Sequence, residues 1–255
     1  MKSRVLLLFA LLAVHPLPAQ ETKSPLAIAA AADLVYCLAD LDKEFARKHP
    51  GADLKVTTGS SGNFFTQLQH GAPFDIFLSA DVNFPRELAK AGLADPASLT
   101  NYAIGRIVLW TTRADIDVSR GLAVVNDSAV KKFAIANPDH APYGRAAKAA
   151  LEHAGLWATA TGKLVLGENI AQTAQFVQTG NAEAGIVALS LVLAPPLAKV
   201  SHWTEIPPDS YPRLEQGAVI TAHGTKNPLA AAYIAFLRSP EARAILDHYG
   251  FRLPK

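Results

Sequence analysis

Cysteine is nearly absent: Cys37 stands alone in 255 residues. A lone thiol excludes an internal disulfide, and with it a small disulfide-stapled scaffold. Leu34, Leu38 and Leu41 surround it at helical spacing, so it reads as a core group on an apolar face rather than a nucleophile. Excess charge is also missing. The 24 Lys and Arg residues include Lys2 and Arg4, and without those two the basic count equals the 22 acidic residues. A balanced chain lacks the basic footprint of a nucleic-acid binder or a polybasic membrane-surface protein. The eight histidines have no close metal-ligand spacing, and His140 reads as a solvated loop residue. Ser60, Ser61, Asp75 and His140 could be assembled into a hydrolase set, but no G-x-S-x-G elbow supports one. Internal repeats, low-complexity tracts and long linkers are absent too.

One apolar run stands next to the start of the chain. Val5–Val14 follows the basic start Met1-Lys2-Ser3-Arg4 and ends in HPLPA, residues 15–19. This is the anatomy of a secretory signal peptide, residues 1–19, with cleavage expected after Ala19. The run is shorter than the roughly 20 residues of a membrane span. No cysteine sits at the cut, so no lipid anchor is indicated. Half of the chain is apolar, enough for one large core or two ordinary ones.

What is present is alternation. LAIAAAA (Leu26–Ala32) reads as a buried strand, and Asp33 opens an amphipathic helix, Leu34–Lys48. ADLKVTT is a second strand, Asn63–Gly71 a second helix and Phe74–Ala80 a third strand. FPRELAKAG is a third helix, with Pro85 in its first turn and Gly92 past its end. Strand–helix–strand at this spacing implies a parallel sheet with right-handed crossovers. A β-rich segment, Ile104–Thr111, follows, and then a second alternating series through Phe133–Ala136, a helix Tyr143–His153, KLVLGENIAQTAQFVQTG and AEAGIVALSLVL. The pattern predicts two α/β lobes, each a mostly parallel sheet flanked by helices, joined by two chain crossings near 104–109 and 218–221. Lobe I is expected over 24–104 and 219–255, and lobe II over 105–218.

The stretch TTGSSGNFFTQL, residues 57–68, sets two serines between glycines at a strand-to-helix junction. A helix N-terminus carries unpaired N–H groups and the positive end of a dipole, and small residues admit close approach by an anion. Ordinary capping explains the same residues equally well. Asp33, Ser60, Ser61 and the Ser79-Ala80-Asp81 turn all lie at strand carboxyl ends, where ligands of such sheets bind. Tyr143 and Ile170 start helices in the second series, and together these N-termini could wrap a small dianion in neutral donors. Asp81 reads as a helix cap or a tie to the Ser79 turn, and Trp110, Phe64 and Phe65 read as core.

The blocks AAADL, TTGSSGN, GAPFDIFLSADVNFPRELAKAG, YAIGRIVLW, NPDHAPYG, GENIAQTAQFV and GIVAL, in order over nearly all of the mature chain, resemble the periplasmic molybdate-binding proteins of ABC importers. The resemblance implies a two-lobed periplasmic-binding fold (type II) with no enzymatic activity and no cofactor. It implies a monomer that binds molybdate or tungstate in the periplasm and meets a membrane permease transiently. It also implies ligand contacts from Ala32, Asp33, Ser60, Ser61, Tyr143 and Ile170. The metal reaches the protein only as an oxyanion, hydrogen-bonded to Ser60, Ser61, Tyr143 and Ile170. Relatives often carry a hydroxyl or an amide where this chain has Ala32-Asp33. A carboxylate facing a dianion repels it. Either Asp33 turns away to cap its own helix, or it accepts a hydrogen bond from a protonated anion such as hydrogen phosphate.

Overall fold

Two five-stranded sheets organise the computed structural model, which describes residues 25–199 and 202–254. The expected signal peptide lies outside these residues. From the start, the chain runs β1 (Leu26–Ala31), α1 (Cys37–Lys48), β2 (Leu54–Gly59), α2 (Ser61–Gln69), β3 (Ile76–Ser79), α3 (Asn83–Lys90) and β4 (Thr100–Gly105). It continues through β5 (Ile107–Thr111), β6 (Phe133–Ala136), α4 (Pro142–His153), α5 (Trp157–Thr161), β7 (Leu164–Gly167) and α6 (Ile170–Gln178). It ends with β8 (Ala184–Ala188), α7 (Leu189–Val192), α8 (Pro195–Ala198), β9 (His202–Glu205), β10 (Leu214–Ile220), α9 (Pro228–Leu237) and α10 (Pro240–His248).

The first sheet has the order β2-β1-β3-β10-β4 and the second β7-β6-β8-β5-β9. In each, four strands run one way and one is reversed: β10 against β3 and β4, and β5 against β8 and β9. The reversed strand is in both cases the first one laid down after the chain crosses from the other sheet. The apolar runs of β1, β3, β6 and β8 are buried almost end to end, as strands covered on both faces must be.

The structure adjusts several boundaries. The segment Ile104–Thr111 is two strands, one in each sheet, divided at Arg106, so the first crossing falls within the expected window. The second crossing comes earlier than expected: β10 begins at Leu214, which brings 214–218 into the first sheet rather than lobe II. The polar look of Glu215 and Gln216 hides the strand, yet Gln216 is fully buried, and the register shifts between Gln216 and Gly217. Helix α1 begins at Cys37, after a short 3₁₀ turn over Ala32–Leu34. Strand β9 escaped the sequence pattern because His202 and Trp203 are exposed on it.

The end of the chain packs onto its beginning. Phe45 of α1 is fully buried, with its ring 4.9 Å from Tyr233 and 5.6 Å from Phe236 of α9. Tyr233 Oη donates to Asp42 at 2.8 Å, and Tyr249 Oη to Asp40 at 2.9 Å. Cys37 is free and buried in this cluster, where burial pushes its thiol pKa far up, consistent with a core role. Phe45→Ala is expected to destabilise the protein by about 3–5 kcal/mol in urea unfolding, the usual cost of emptying a buried aromatic site.

Candidate functional site

Both sheets aim the carboxyl ends of their parallel strands at one cleft. Ala32 and Asp33 follow β1, Ser60 and Ser61 follow β2, and Ala80 follows β3. From the other side, Tyr143 follows β6 and Ile170 follows β7. All seven line one small cavity, with room of about 10 Å³ for the centre of a water-sized sphere. The structure thus brings together every ligand residue expected from the sequence. Among the residues lining the cavity there is no Lys, Arg or His.

Its donors come from helix starts. Ser61 and Ile170 are the first residues of α2 and α6, where a backbone N–H has no intrahelical acceptor. In α4 the first position is Pro142, which has no N–H, so Tyr143 presents the first donor. Asn169 caps α6 by accepting from Gln172 N–H at 3.0 Å, which leaves the Ile170 N–H free of that cap. Three helix N-termini from two lobes therefore face one small space, an arrangement suited to an anion.

The two serines differ in their work. Ser60 Oγ donates to the His140 carbonyl at 2.7 Å, and Gly62 N–H donates to the same oxygen at 3.0 Å. His140 Nδ1 lies 3.1 Å from Ser60 Oγ, and its Nε2 lies 3.5 Å from Glu168. His140 is therefore a cross-cleft contact and not the solvated loop residue the sequence suggested. A Cβ on Gly62 would fall 2.4 Å from the His140 carbonyl oxygen, so only glycine allows this approach. Ser61 Oγ accepts from Ala80 N–H at 2.9 Å, which leaves its own proton for the cavity.

Asp33 is buried and does not cap its helix, contrary to the capping expectation. Ala31 occupies the cap position of the 3₁₀ turn, and no side-chain cap bond forms there. Instead, Asp33 Oδ2 accepts from Tyr143 Oη at 2.8 Å and from Gln216 Nε2. Gln216 Oε1 accepts from Tyr102 Oη at 2.7 Å, and Ser190 Oγ donates to the Asp33 carbonyl at 2.7 Å. Asp33 thus ties the first lobe to Tyr143 and Ser190 of the second. A Cβ at Gly105 would come within 2.3 Å of Tyr143 Oη, so glycine at the crossing makes room for this tie. Burial pushes the Asp33 carboxyl up to about 6, against the lowering effect of the Gln216 and Tyr143 bonds. Its Oδ1 is buried without a hydrogen-bond partner among the described residues.

Other singled-out residues lie elsewhere. Asp75, buried near the far ends of the strands, accepts from Ala27 N–H and from Asn227 Nδ2 and pairs with His223. Phe64 and Trp110 are core. Asp81 Oδ1 caps Asn83 N–H at 2.9 Å, and its backbone ties to Ser79, as expected. Sequence reading missed Gln216, because its neighbours Glu215 and Gly217 gave no sign of a buried strand there.

A family model described as bacterial extracellular solute-binding protein matches residues 26–252. The chain belongs to this family. It is 40% identical over 227 residues to the molybdate-binding protein ModA of Azotobacter vinelandii, covering 89% of each chain. It is 38% identical over 201 residues to the molybdate-binding protein ModA of Rhodobacter capsulatus, covering 79% of this chain and 78% of that one. The solved periplasmic molybdate-binding protein of Azotobacter vinelandii superposes with a TM-score of 0.84 at 31% identity, over 89% of this chain and 99% of that one. Family membership makes this a binding protein for transport rather than an enzyme, with the two-lobed architecture expected.

Two outcomes follow from the cleft geometry. Gly62→Ala should hold the lobes apart and weaken solute binding at least about tenfold, or 1.4 kcal/mol, in titrations with molybdate, the solute named for the relatives. Its unfolding midpoint should change little. Asp33→Asn should stabilise the protein in a pH-dependent way. The unfolded carboxyl loses its proton near 3.8 and the folded one near 6, so the native state loses stability as pH rises across that window. Above it the burial penalty is complete, and removing the charge should gain roughly 3 kcal/mol in urea unfolding at pH 7.5. The gain should vanish near pH 3.5.

Proposed function

We propose that the cleft captures a tetrahedral oxyanion, molybdate or tungstate, in the periplasm. The monomeric protein closes over it and delivers it to the permease of an ABC importer. The observation that carries this reading is the small cavity lined by helix N-termini from both lobes with no cationic side chain, joined to the molybdate named for the relatives. Neutral donors suffice because aligned backbone dipoles supply the positive potential, and they avoid the desolvation of a fixed counter-charge. Each lobe supplies part of the donor set, so closure completes the site. Selectivity against sulfate follows from the longer metal–oxygen bonds. The secretory start of the chain, 1–19, accounts for export.

A second reading has one specific observation behind it. The unpartnered Oδ1 of buried Asp33 could accept from a protonated anion, which favours hydrogen phosphate.

Isothermal titration of ligand-stripped protein with molybdate, tungstate, sulfate and phosphate at neutral pH separates the readings. Tight one-to-one binding of the first two alone supports the proposal, while phosphate binding supports the second reading. Ser61→Ala should cost about 1.5–3 kcal/mol of affinity, the loss of a bond to a charged group. Unchanged affinity in that variant would sink the site assignment.

A further inference from the structure

Two further cavities between the lobes abut the site, and their chemistry differs. One, of about 400 Å³, shares Asn169 with the site and is lined by Tyr36, Thr58, Gln172, Gln175 and Gln178, with no charged residue among its lining. The other, of about 250 Å³, shares Ala80 and Pro142 with the site and contains Arg86, Arg145 and Arg213 together with Asp81 and Glu215. The site itself has no cation, and the whole chain is nearly neutral. Three guanidinium groups against two carboxylates, beside a site with no cation of its own, leave a local excess of positive charge.

Their pairing is uneven. Arg213 Nε lies 3.5 Å from Glu215, on its own segment. Arg86 donates to the neutral Asn83 amide at 3.3 Å. Arg145 reaches across the cleft: its Nη2 lies 2.6 Å from Asp81 Oδ2, and its guanidinium stands 5.5 Å over the Phe84 ring. Asp81 belongs to the first lobe, between β3 and α3. Arg145 belongs to the second, two residues after Tyr143 in α4. The pair exists only when the lobes are together.

We infer that this arginine-lined cavity is the way in for the oxyanion and that the Arg145–Asp81 pair is its gate. With the lobes apart, Arg145 has no carboxylate from Asp81, and its field stands unpaired two residues from the Tyr143 donor. Anions are drawn toward the helix start. With the lobes together, Asp81 neutralises Arg145 and the same side chain holds the cleft shut. The amide-lined cavity offers no such field. This inference rests on the oxyanion reading of the site.

Stopped-flow association and dissociation rates test it, at 20 mM and 500 mM salt. The probe is whichever of molybdate, tungstate, sulfate and phosphate the wild type binds. Arg145→Gln should slow association about 3- to 10-fold at low salt, and the difference should fade at high salt, where exposed charges are screened beyond a few ångströms. It should also speed dissociation. Asp81→Asn keeps the cap on Asn83 through its amide oxygen. It should speed dissociation as well, but leave association unchanged or faster. Arg86→Gln and Arg213→Gln should slow association without changing dissociation. Slowed association from Arg145→Gln but not from Asp81→Asn distinguishes a steering gate from a structural bridge. If Arg145→Gln and Asp81→Asn change only dissociation, or if wild-type association is insensitive to salt, the inference is overturned while the binding function stands. If the wild type binds none of the four anions, the function reading falls and this inference falls with it.

Discussion

An anion held without a counter-charge needs several backbone dipoles at once, and one lobe supplies too few. The rest of the molecule is arranged around that constraint. Strand carboxyl ends from two sheets must converge, each followed by a helix whose first N–H groups are open. The small residues at those junctions, Ala32, Ala80 and Ala141, keep side chains out of the space the anion needs. The reversed strands β5 and β10 serve the same end. Each lets the chain change sheets and re-enter with its remaining strands aimed at the cleft.

Much of this was legible in the sequence because it rests on local patterns. Apolar runs such as Phe133–Ala136 gave strands at their observed bounds, and the helix expected from Tyr143 begins one residue earlier, at Pro142. The residues that line the small cavity were legible for the same reason, since each sits at a strand-to-helix junction. What was not legible is non-local. Nothing near Asp33 in sequence foretells Tyr143 and Gln216, which lie 110 and 183 residues away. Local propensity favours an aspartate as a cap, and here the tertiary partners won. His140 was misjudged similarly. Its carbonyl, rather than its ring, makes the contacts that matter, and a carbonyl carries no sequence signal.

The buried tie at Asp33 also explains an apparent conflict. A carboxylate beside a dianion site is unfavourable, yet its Oδ2 is taken up by two donors, and the elevated pKa reports how poorly the pocket tolerates its charge. The group costs stability at neutral pH while fixing the relative placement of Tyr143 and the crossing strands. Such a device trades stability for geometry, as buried polar groups do when they specify one arrangement.

The approach of Gly62 to His140 has a kinetic side. Its hydrogen bond, and that of Ser60, join the lobes directly through the His140 carbonyl. A receptor whose competent form is rarely populated binds more weakly by the fraction of time it spends there. Bonds made between the lobes themselves favour the shut form and reduce that tax. The same bonds remain after capture, and spontaneous reopening must break them along with the solute's own contacts. Release therefore carries the cost of undoing Gly62–His140 and Ser60–His140 in addition to the solute's own contacts, so the same two bonds act on both capture and unloading.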